Sequence, residues 1–130
     1  MYHIDITEPA ENDILDAANY IAEQLLNPSA ALNLVDEAEK AIYSLSDMPQ
    51  RHALVNDDTL AGLGIRFMPV KNYLVFYAVR EEKKTVVIQR FLYGRRDWAT
   101  ILTSDADRTE GDQDIWGTNG DGTISSTLES

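Results

Sequence analysis

The stretch LVFYAVREEKKTVVIQRFLY, residues 74–93, decides the fold of this chain of 130 residues. Two runs rich in β-branched and aromatic residues, 74–80 and 85–93, flank the polar segment EEKK. Such runs favour strands, and a short polar connection between them is typical of a β-hairpin. Both runs are apolar at odd and even positions, so we expect two central strands that are covered on both faces.

Two further strands and two helices are predicted around this hairpin. Residues 2–7 alternate polar and apolar side chains, and residues 65–68 form a second short strand-like run. Thr7 is a candidate N-cap of a first helix, which Asn27 and Pro28 end, and Ser29 is a candidate N-cap of a second. The apolar stripes of the helices are Ile14, Ala17, Ala18, Ile21 and Leu25, then Ala31, Val35, Ala38, Ile42 and Leu45. Residues 96–102 predict a short C-terminal helix that folds back onto the sheet.

Residues 103–130 differ in composition from the rest, being rich in Asp, Gly, Ser and Thr. Their few apolar side chains cannot offset the entropy lost on ordering. We therefore expect one domain over residues 1–102 and an acidic, flexible tail over residues 103–130. Residues 119–124 look like the middle of a calcium loop, but Gly117 and Leu128 stand where the first and last ligands belong, so no metal site is expected.

The net charge of -11 is unevenly distributed: residues 1–50 carry -9, residues 51–102 carry +4 and residues 103–130 carry -6. A negative net charge argues against nucleic acid as a partner, because that binding depends on phosphate contacts. The basic middle segment nevertheless allows nucleic-acid binding. The absence of cysteine, of a signal sequence and of a long apolar run favours a soluble protein of the cytoplasm.

Familiar catalytic motifs are missing from the sequence. Nothing resembles a phosphate loop, a dinucleotide fingerprint or a serine elbow, and neither His3 nor His52 has a second ligand at metal spacing. The acidic residues near position 10 suit the positive end of a helix dipole and need no further cause. We expect neither a cofactor nor a metal.

The basic segment is the best candidate for a working surface. Arginine binds phosphate bidentately, and tyrosine rings offer stacking platforms. The alternative for Arg90 and Arg96 is a structural ion pair with Asp97 or with helix carboxylates. The candidate residues for binding a nucleic acid or another target are Lys71, Tyr73, Arg90, Arg95 and Arg96, at the ends of predicted neighbouring strands.

Three segments carry a resemblance to a known family: NPSAALNLVDEAEKAIYSL, GLGIRFMPVKNYLVFYAV and VVIQRFLYGRRDWATIL, residues 27–45, 62–79 and 86–102. Their order and spacing resemble the RelE/ParE superfamily of bacterial type II toxin-antitoxin toxins, including members called plasmid stabilisation proteins. The resemblance covers residues 2–102. It implies an α+β fold in β-α-α-β-β-β order, with an antiparallel sheet packed against an N-terminal helical hairpin, and a growth-arresting toxin.

The superfamily acts on two kinds of target. ParE-type members inhibit DNA gyrase by protein contact, whereas RelE-type members cleave mRNA on the ribosome without a metal. Arg96 matches the family's arginine after the last strand, but Leu74 replaces the arginine of the RNase branch, and Ile101 and Leu102 replace its C-terminal tyrosine or histidine. We therefore favour gyrase inhibition, with an mRNA interferase as the alternative and an inactivated binding module as a third. If the chain is an RNase, the catalytic candidates are Arg96, Arg66 and Tyr93.

The resemblance also implies a cognate antitoxin. Such partners usually wrap an amphipathic segment around the toxin, by laying a helix in a groove or by adding a strand. We expect that contact at apolar margins beside Leu60, Leu63 and Ile65. The identity of the antitoxin and the oligomeric state are left open.

Overall fold

A computed structural model describes residues 1–108, so residues 109–130, with most of the predicted tail and the calcium-like segment, lie outside the described residues. One-turn helices at Tyr20–Gln24, Pro49–Arg51 and Glu81–Lys83 connect the main elements. Within the described part, no helix is long and apolar enough to cross a membrane. The main elements are β1 (His3–Ile6), α1 (Glu8–Asn19), α2 (Pro28–Ser44), α3 (Asp58–Gly62), β2 (Arg66–Val70), β3 (Tyr73–Arg80), β4 (Thr85–Tyr93) and α4 (Trp98–Arg108).

The four strands form one sheet in the order β1-β4-β3-β2. The predicted hairpin is present as β3 and β4, and both strands are central, as their apolar character at both parities requires. The α+β class and the element order are confirmed. The sheet is mixed, because β2, β3 and β4 are antiparallel whereas β1 runs parallel to β4. The helical hairpin between β1 and the other strands provides the long crossover that a parallel neighbour needs.

A β-bulge in β4 changes which side chains face the helices. Tyr77 pairs with Ile88 and Phe76 with Arg90, so Gln89 is the extra residue. Ile88 therefore packs toward the helical hairpin before the bulge, and Phe91 does so after it. Strict alternation along β4 would place Arg90 on the same face as Ile88, but the bulge interrupts that alternation.

The helical hairpin begins at the predicted N-cap, but its turn and the start of its second helix differ from the prediction. The Thr7 side chain accepts a hydrogen bond from the Ala10 amide at 3.3 Å, which confirms it as the N-cap of α1. In α2 the N-cap is Asn27, not Ser29, because its side chain accepts from the Ala30 amide at 3.1 Å and Pro28 fills the first helical position. The π turn after α1 changes the helical phase, and Leu25 of the predicted stripe is exposed.

Two apolar clusters pack on opposite faces of the sheet. The larger one joins the hairpin to β3 and β4 through side chains such as Leu34, Ile42 and Tyr77. The smaller one joins α3 and α4 to the other face through Leu60, Phe76 and Leu102. Both central strands are thus covered on both faces. A binding site on these strands is therefore expected at their ends, where side chains are accessible.

The segments around α3 and α4 differ from the expectation. Helix α3 was not among the elements predicted from the sequence. The Asp57 side chain caps it by accepting a hydrogen bond from the Leu60 amide at 3.0 Å. Helix α4 continues to Arg108, so the boundary expected after Leu102 falls inside a helix. Ala106 packs against the smaller cluster, so residues just beyond that boundary belong to the folded unit.

Candidate functional site

A groove of about 680 Å³ lies between helix α1 with the following π turn and the ends of β3 and β4. Both apolar and charged side chains line it, with carboxylates on α1 and a guanidinium in the turn after β4. A smaller adjoining cavity shares Ile21, Asn72 and Tyr73 with it. The lining residues are Asp13, Asp16, Ala17, Tyr20, Ile21, Leu25, Asn72, Tyr73, Phe91, Leu92, Tyr93 and Arg96.

Aromatic rings form the floor of this groove. The rings of Tyr73 and Phe91 are stacked, with centroids 4.9 Å apart and an interplanar angle of 6°. Tyr93 meets Tyr73 edge to face at 5.6 Å. Burial, and then the nearby phenols of Tyr93 and Tyr20, raise the pKa of Tyr73 above its usual value of 10.0. This phenol therefore stays protonated at neutral pH and can donate a hydrogen bond, but it cannot act as a general base there.

Arg90 is tied into the framework beside the groove. Its Nε and Nη2 atoms donate to the Asp13 carboxylate at 2.7 and 2.9 Å, and its Nη1 donates to Asp105 at 3.0 Å. The same Asp13 carboxylate accepts from the Phe91 amide at 3.0 Å. Hydrogen bonds donated to Asp13, followed by those to Asp105, raise the pKa of Arg90 and keep it charged. Arg90 thus connects α1, β4 and α4. This is the structural ion pair with helix carboxylates that was the alternative to target binding, and Arg90 is not part of the exposed basic surface.

The other candidates for target binding fall into one neighbourhood. Tyr73, Tyr93 and Arg96 line the groove, and Arg95 is exposed in the same turn as Arg96. Lys71 lines the adjoining cavity and is also exposed. Four of the five target-binding candidates and the catalytic candidate Tyr93 thus lie at one end of the sheet. The fifth binding candidate, Arg90, is held by internal ion pairs.

Arg66, the remaining catalytic candidate, lies elsewhere. Arg66 starts β2 and pairs with Tyr77 in the middle of β3, whereas Tyr93 pairs with Tyr73, the first residue of β3. This places Arg66 about 13 Å along the strands and about 10 Å across them from Tyr93. Its Nη1 atom donates to the carbonyls of His52 at 2.7 Å and Gln50 at 3.3 Å. Arg66 therefore braces the loop before α3 and does not meet Arg96 in the groove.

The residues expected at the antitoxin contact are mostly internal. Leu60 and Ile65 are fully buried in the smaller cluster, because α3 folds onto β2 and encloses them. Leu63 is 44% exposed. Of the three residues expected at this contact, Leu63 alone is exposed.

Sequence reasoning missed three wall residues of the groove. Asp13, Asp16 and Tyr20 lie at positions i, i+3 and i+7 and so project from one side of α1 and its continuation. The acids were attributed to the helix dipole, which accounts for the first turn but not for Asp16. Their common helical face was the available signal.

Comparison with known proteins places the chain in a family. Residues 4–98 match the family described as the ParE toxin of the type II toxin-antitoxin system, parDE. The chain belongs to this ParE toxin family. The match confirms the resemblance to the RelE/ParE superfamily. No curated protein matches the chain.

Two solved structures are similar to this ParE-family toxin. A chain of the chromosomal ParDE toxin-antitoxin system from P. aeruginosa is 18% identical, with a TM-score of 0.59, and the alignment covers 72% of this chain and 96% of that one. A chain of the toxin-antitoxin complex RelBE2 from Mycobacterium tuberculosis is 21% identical, with a TM-score of 0.49 and coverage of 71% and 96%. The first of these supports the α+β architecture.

Proposed function

We propose that this ParE-family toxin arrests growth in the bacterial cytoplasm by binding DNA gyrase, and that a cognate antitoxin neutralises it. The proposal concerns protein contact and requires no bond cleavage by the chain. It rests on which groups meet at the groove and which do not.

The observation that carries the proposal is the separation of the catalytic candidates. Metal-independent RNA cleavage needs a proton acceptor, a proton donor and positive charge around one phosphate. Arg96 and Tyr93 share the groove, but Arg66, at the start of β2, is held by the backbone carbonyls of the loop before α3. No histidine is among the residues lining the groove. A binding surface needs none of these groups to converge, so the arrangement favours contact over catalysis.

Three apolar residues at positions where the RNase branch has catalytic side chains also favour protein contact over RNA cleavage. Leu74 is half-buried, and Leu102 is fully buried in the smaller cluster. Ile101 also packs against that cluster. These side chains stabilise the fold and offer no group for proton transfer.

One observation favours the RNase alternative. Tyr20, Tyr73 and Tyr93 surround the groove together with Arg96, which is a combination that can stack a base and bind a phosphate. The raised pKa of Tyr73 suits a proton donor but leaves the proton acceptor unassigned. An mRNA interferase therefore remains the second candidate.

Paired readouts from one expression experiment distinguish the candidates. The chain is induced in bacteria, and growth, an SOS reporter and mRNA 5′ ends are followed, while the purified protein is added to a gyrase supercoiling assay. Gyrase inhibition requires growth arrest with SOS induction, intact mRNA and loss of supercoiling. New mRNA ends without SOS induction would identify the interferase, and growth without either signal would identify a binding module.

Arg96→Ala provides the residue-level test, with Lys40→Ala as the matched control. Lys40 is exposed on α2 and pairs with Asp36 at 3.1 Å, so its loss changes the net charge equally without touching the groove. Arg96→Ala should reduce supercoiling inhibition about tenfold, as expected when an arginine that contributes strongly to an interface is truncated. Equal inhibition by both variants would remove Arg96 from the target surface.

The antitoxin part of the proposal is supported by the family and by the similarity to a chain of the ParDE toxin-antitoxin system from P. aeruginosa. Co-expression with the small open reading frame beside the gene should restore growth. Arrest that is unchanged by this neighbour, although both proteins are made, would contradict it.

A further inference from the structure

Strand β4 has a short free edge next to the groove. On that side, β1 pairs with β4 only as far as Ile6 opposite Ile88. The Thr7 amide then donates to the Ile88 carbonyl at 3.1 Å, and the chain leaves the sheet to enter α1. The last residues of β4 therefore extend beyond their neighbour.

The direction of the hydrogen bonds shows which groups face this edge. The Gly94 amide donates to the Asn72 carbonyl at 2.8 Å, toward the β3 side, whereas the Phe91 amide donates to Asp13 on the opposite side. Successive residues of a strand alternate between its two edges, so the Tyr93 amide points away from β3, as the Phe91 amide does. Within residues 1–108, no backbone carbonyl outside the strands accepts a hydrogen bond from this Tyr93 amide.

The free edge and the groove form one surface. Phe91, Leu92 and Tyr93 belong both to the edge and to the groove lining. A strand placed beside β4 would direct alternate side chains into the space between α1 and the Tyr73 ring. Backbone pairing and side-chain anchoring are thus available at the same place.

The negative charge of the groove wall on α1 favours a cationic side chain from a partner bound in the groove. Both oxygens of Asp13 are engaged by Arg90 and the Phe91 amide. Asp16, one turn further along α1, is exposed and forms no ion pair within the described residues. The ring of Tyr20, which also lines the groove, offers a face for a cation. An ammonium or guanidinium group complements this wall.

We propose that the partner protein adds an extended segment to the free edge of β4 and inserts a lysine or arginine side chain between Asp16 and the tyrosine rings. The proposal deepens the proposed function and rests on it, because the partner is the cognate antitoxin. The Tyr93 amide donates to the backbone of the added segment. Arg96, at the other end of the groove, favours an acidic residue elsewhere in the same segment.

Amide hydrogen exchange, resolved by residue in NMR spectra, tests the pairing directly. The probe is the purified product of the neighbouring open reading frame that restores growth on co-expression, with synthetic peptides tiling its sequence. The Tyr93 amide should exchange fast in the free toxin and at least tenfold more slowly in the complex. The Gly94 amide, already bonded to Asn72, should be protected in both states and serves as the internal control. Tight binding that leaves Tyr93 exchange unchanged would overturn the inference.

Charge variants test the cationic anchor. Asp16→Asn should weaken antitoxin binding about fivefold and reduce its salt dependence, since a partly exposed ion pair contributes about 1 kcal/mol. Glu39→Gln, an exposed acid on α2, should change affinity less than twofold. An alanine at one basic residue of the active peptide should reproduce the Asp16→Asn loss, and combining the two changes should add little. Equal affinities for Asp16→Asn and Glu39→Gln would contradict the anchor.

Other occupants of the groove give different results. Tyr93 protection by single-stranded RNA but not by the antitoxin would assign the groove to nucleic acid, and protection that follows protein concentration alone would assign it to a second copy of the chain. Either result overturns the proposal. Failure to inhibit gyrase contradicts the proposed target alone, whereas antitoxin binding without Tyr93 protection contradicts the docking surface alone.

Discussion

Asp13 satisfies three donors with one carboxylate: two nitrogen atoms of Arg90 and the Phe91 amide. Its side chain is 12% exposed and that of Arg90 is 18% exposed, so water compensates poorly when the carboxylate is lost. We expect Asp13→Asn to lower the free energy of unfolding by about 2 to 4 kcal/mol, measured by urea denaturation. Asp16→Asn, one turn away on the exposed surface, should change it by less than about 0.5 kcal/mol. Similar losses in both variants would mean that the Arg90 network does not stabilise the fold.

His52 gives the protein a pH-dependent stability. Burial, and then the charge of Arg51, lower the pKa of its imidazole below the ordinary 6.5. As the pH falls below 6.5, the unfolded chain takes up the proton first, so stability decreases down to the folded pKa and is independent of this group above 6.5. Wild type should therefore lose more stability than His52→Asn between pH 7.5 and 5.5 in urea titrations. Parallel losses in the two proteins would assign the pH dependence to other groups.

Capping at the second helix is an element-scale property that a single side chain controls. Asn27→Ala removes the bond to the Ala30 amide and should destabilise the protein by about 1 kcal/mol. Ser29→Ala changes the residue that the sequence favoured as the cap, and it should cost less than about 0.5 kcal/mol because Ser29 is exposed and lies inside α2. Thermal or urea unfolding of both variants distinguishes them. A larger loss for Ser29→Ala would contradict the helix start at Pro28.

Secondary structure was predictable wherever local periodicity determines it. The β3 and β4 runs and the stripe from Ala31 to Ile42 give direct patterns, and these elements are present. The bulge at Gln89 was not predictable, because it depends on how β3 and β4 pair and on the contacts of Thr7 with the carbonyls of Ile88 and Gln89. The groove was predictable only in its parts. Tyr73 and Arg96 were identified from the sequence as an aromatic and a cationic candidate. Their proximity to Asp16 in the groove depends on the bulge and on the crossover, which the sequence pattern does not show.

At the scale of the whole molecule, the central strands connect the two apolar clusters. Val75 and Tyr77 contribute to the larger cluster, while Phe76 between them contributes to the smaller one. Helix α4 closes the smaller cluster, with the Trp98 ring 5.4 Å from that of Phe76 and Asp105 bonded to Arg90. Loosening one face therefore removes support from the strands that hold the other face, and cooperative unfolding of residues 1–108 follows.

This cooperativity can be measured with one tryptophan. Trp116, outside the described residues, is changed to phenylalanine so that fluorescence reports on Trp98 and the smaller cluster, while far-UV circular dichroism reports mainly on α1 and α2. The two urea transitions should coincide in midpoint and slope, as a two-state unit requires. Leu102→Ala removes a fully buried side chain of α4 and should shift both transitions together, by about 2 to 4 kcal/mol. A fluorescence transition that precedes the helical one, in either protein, would show that α4 opens independently of the sheet.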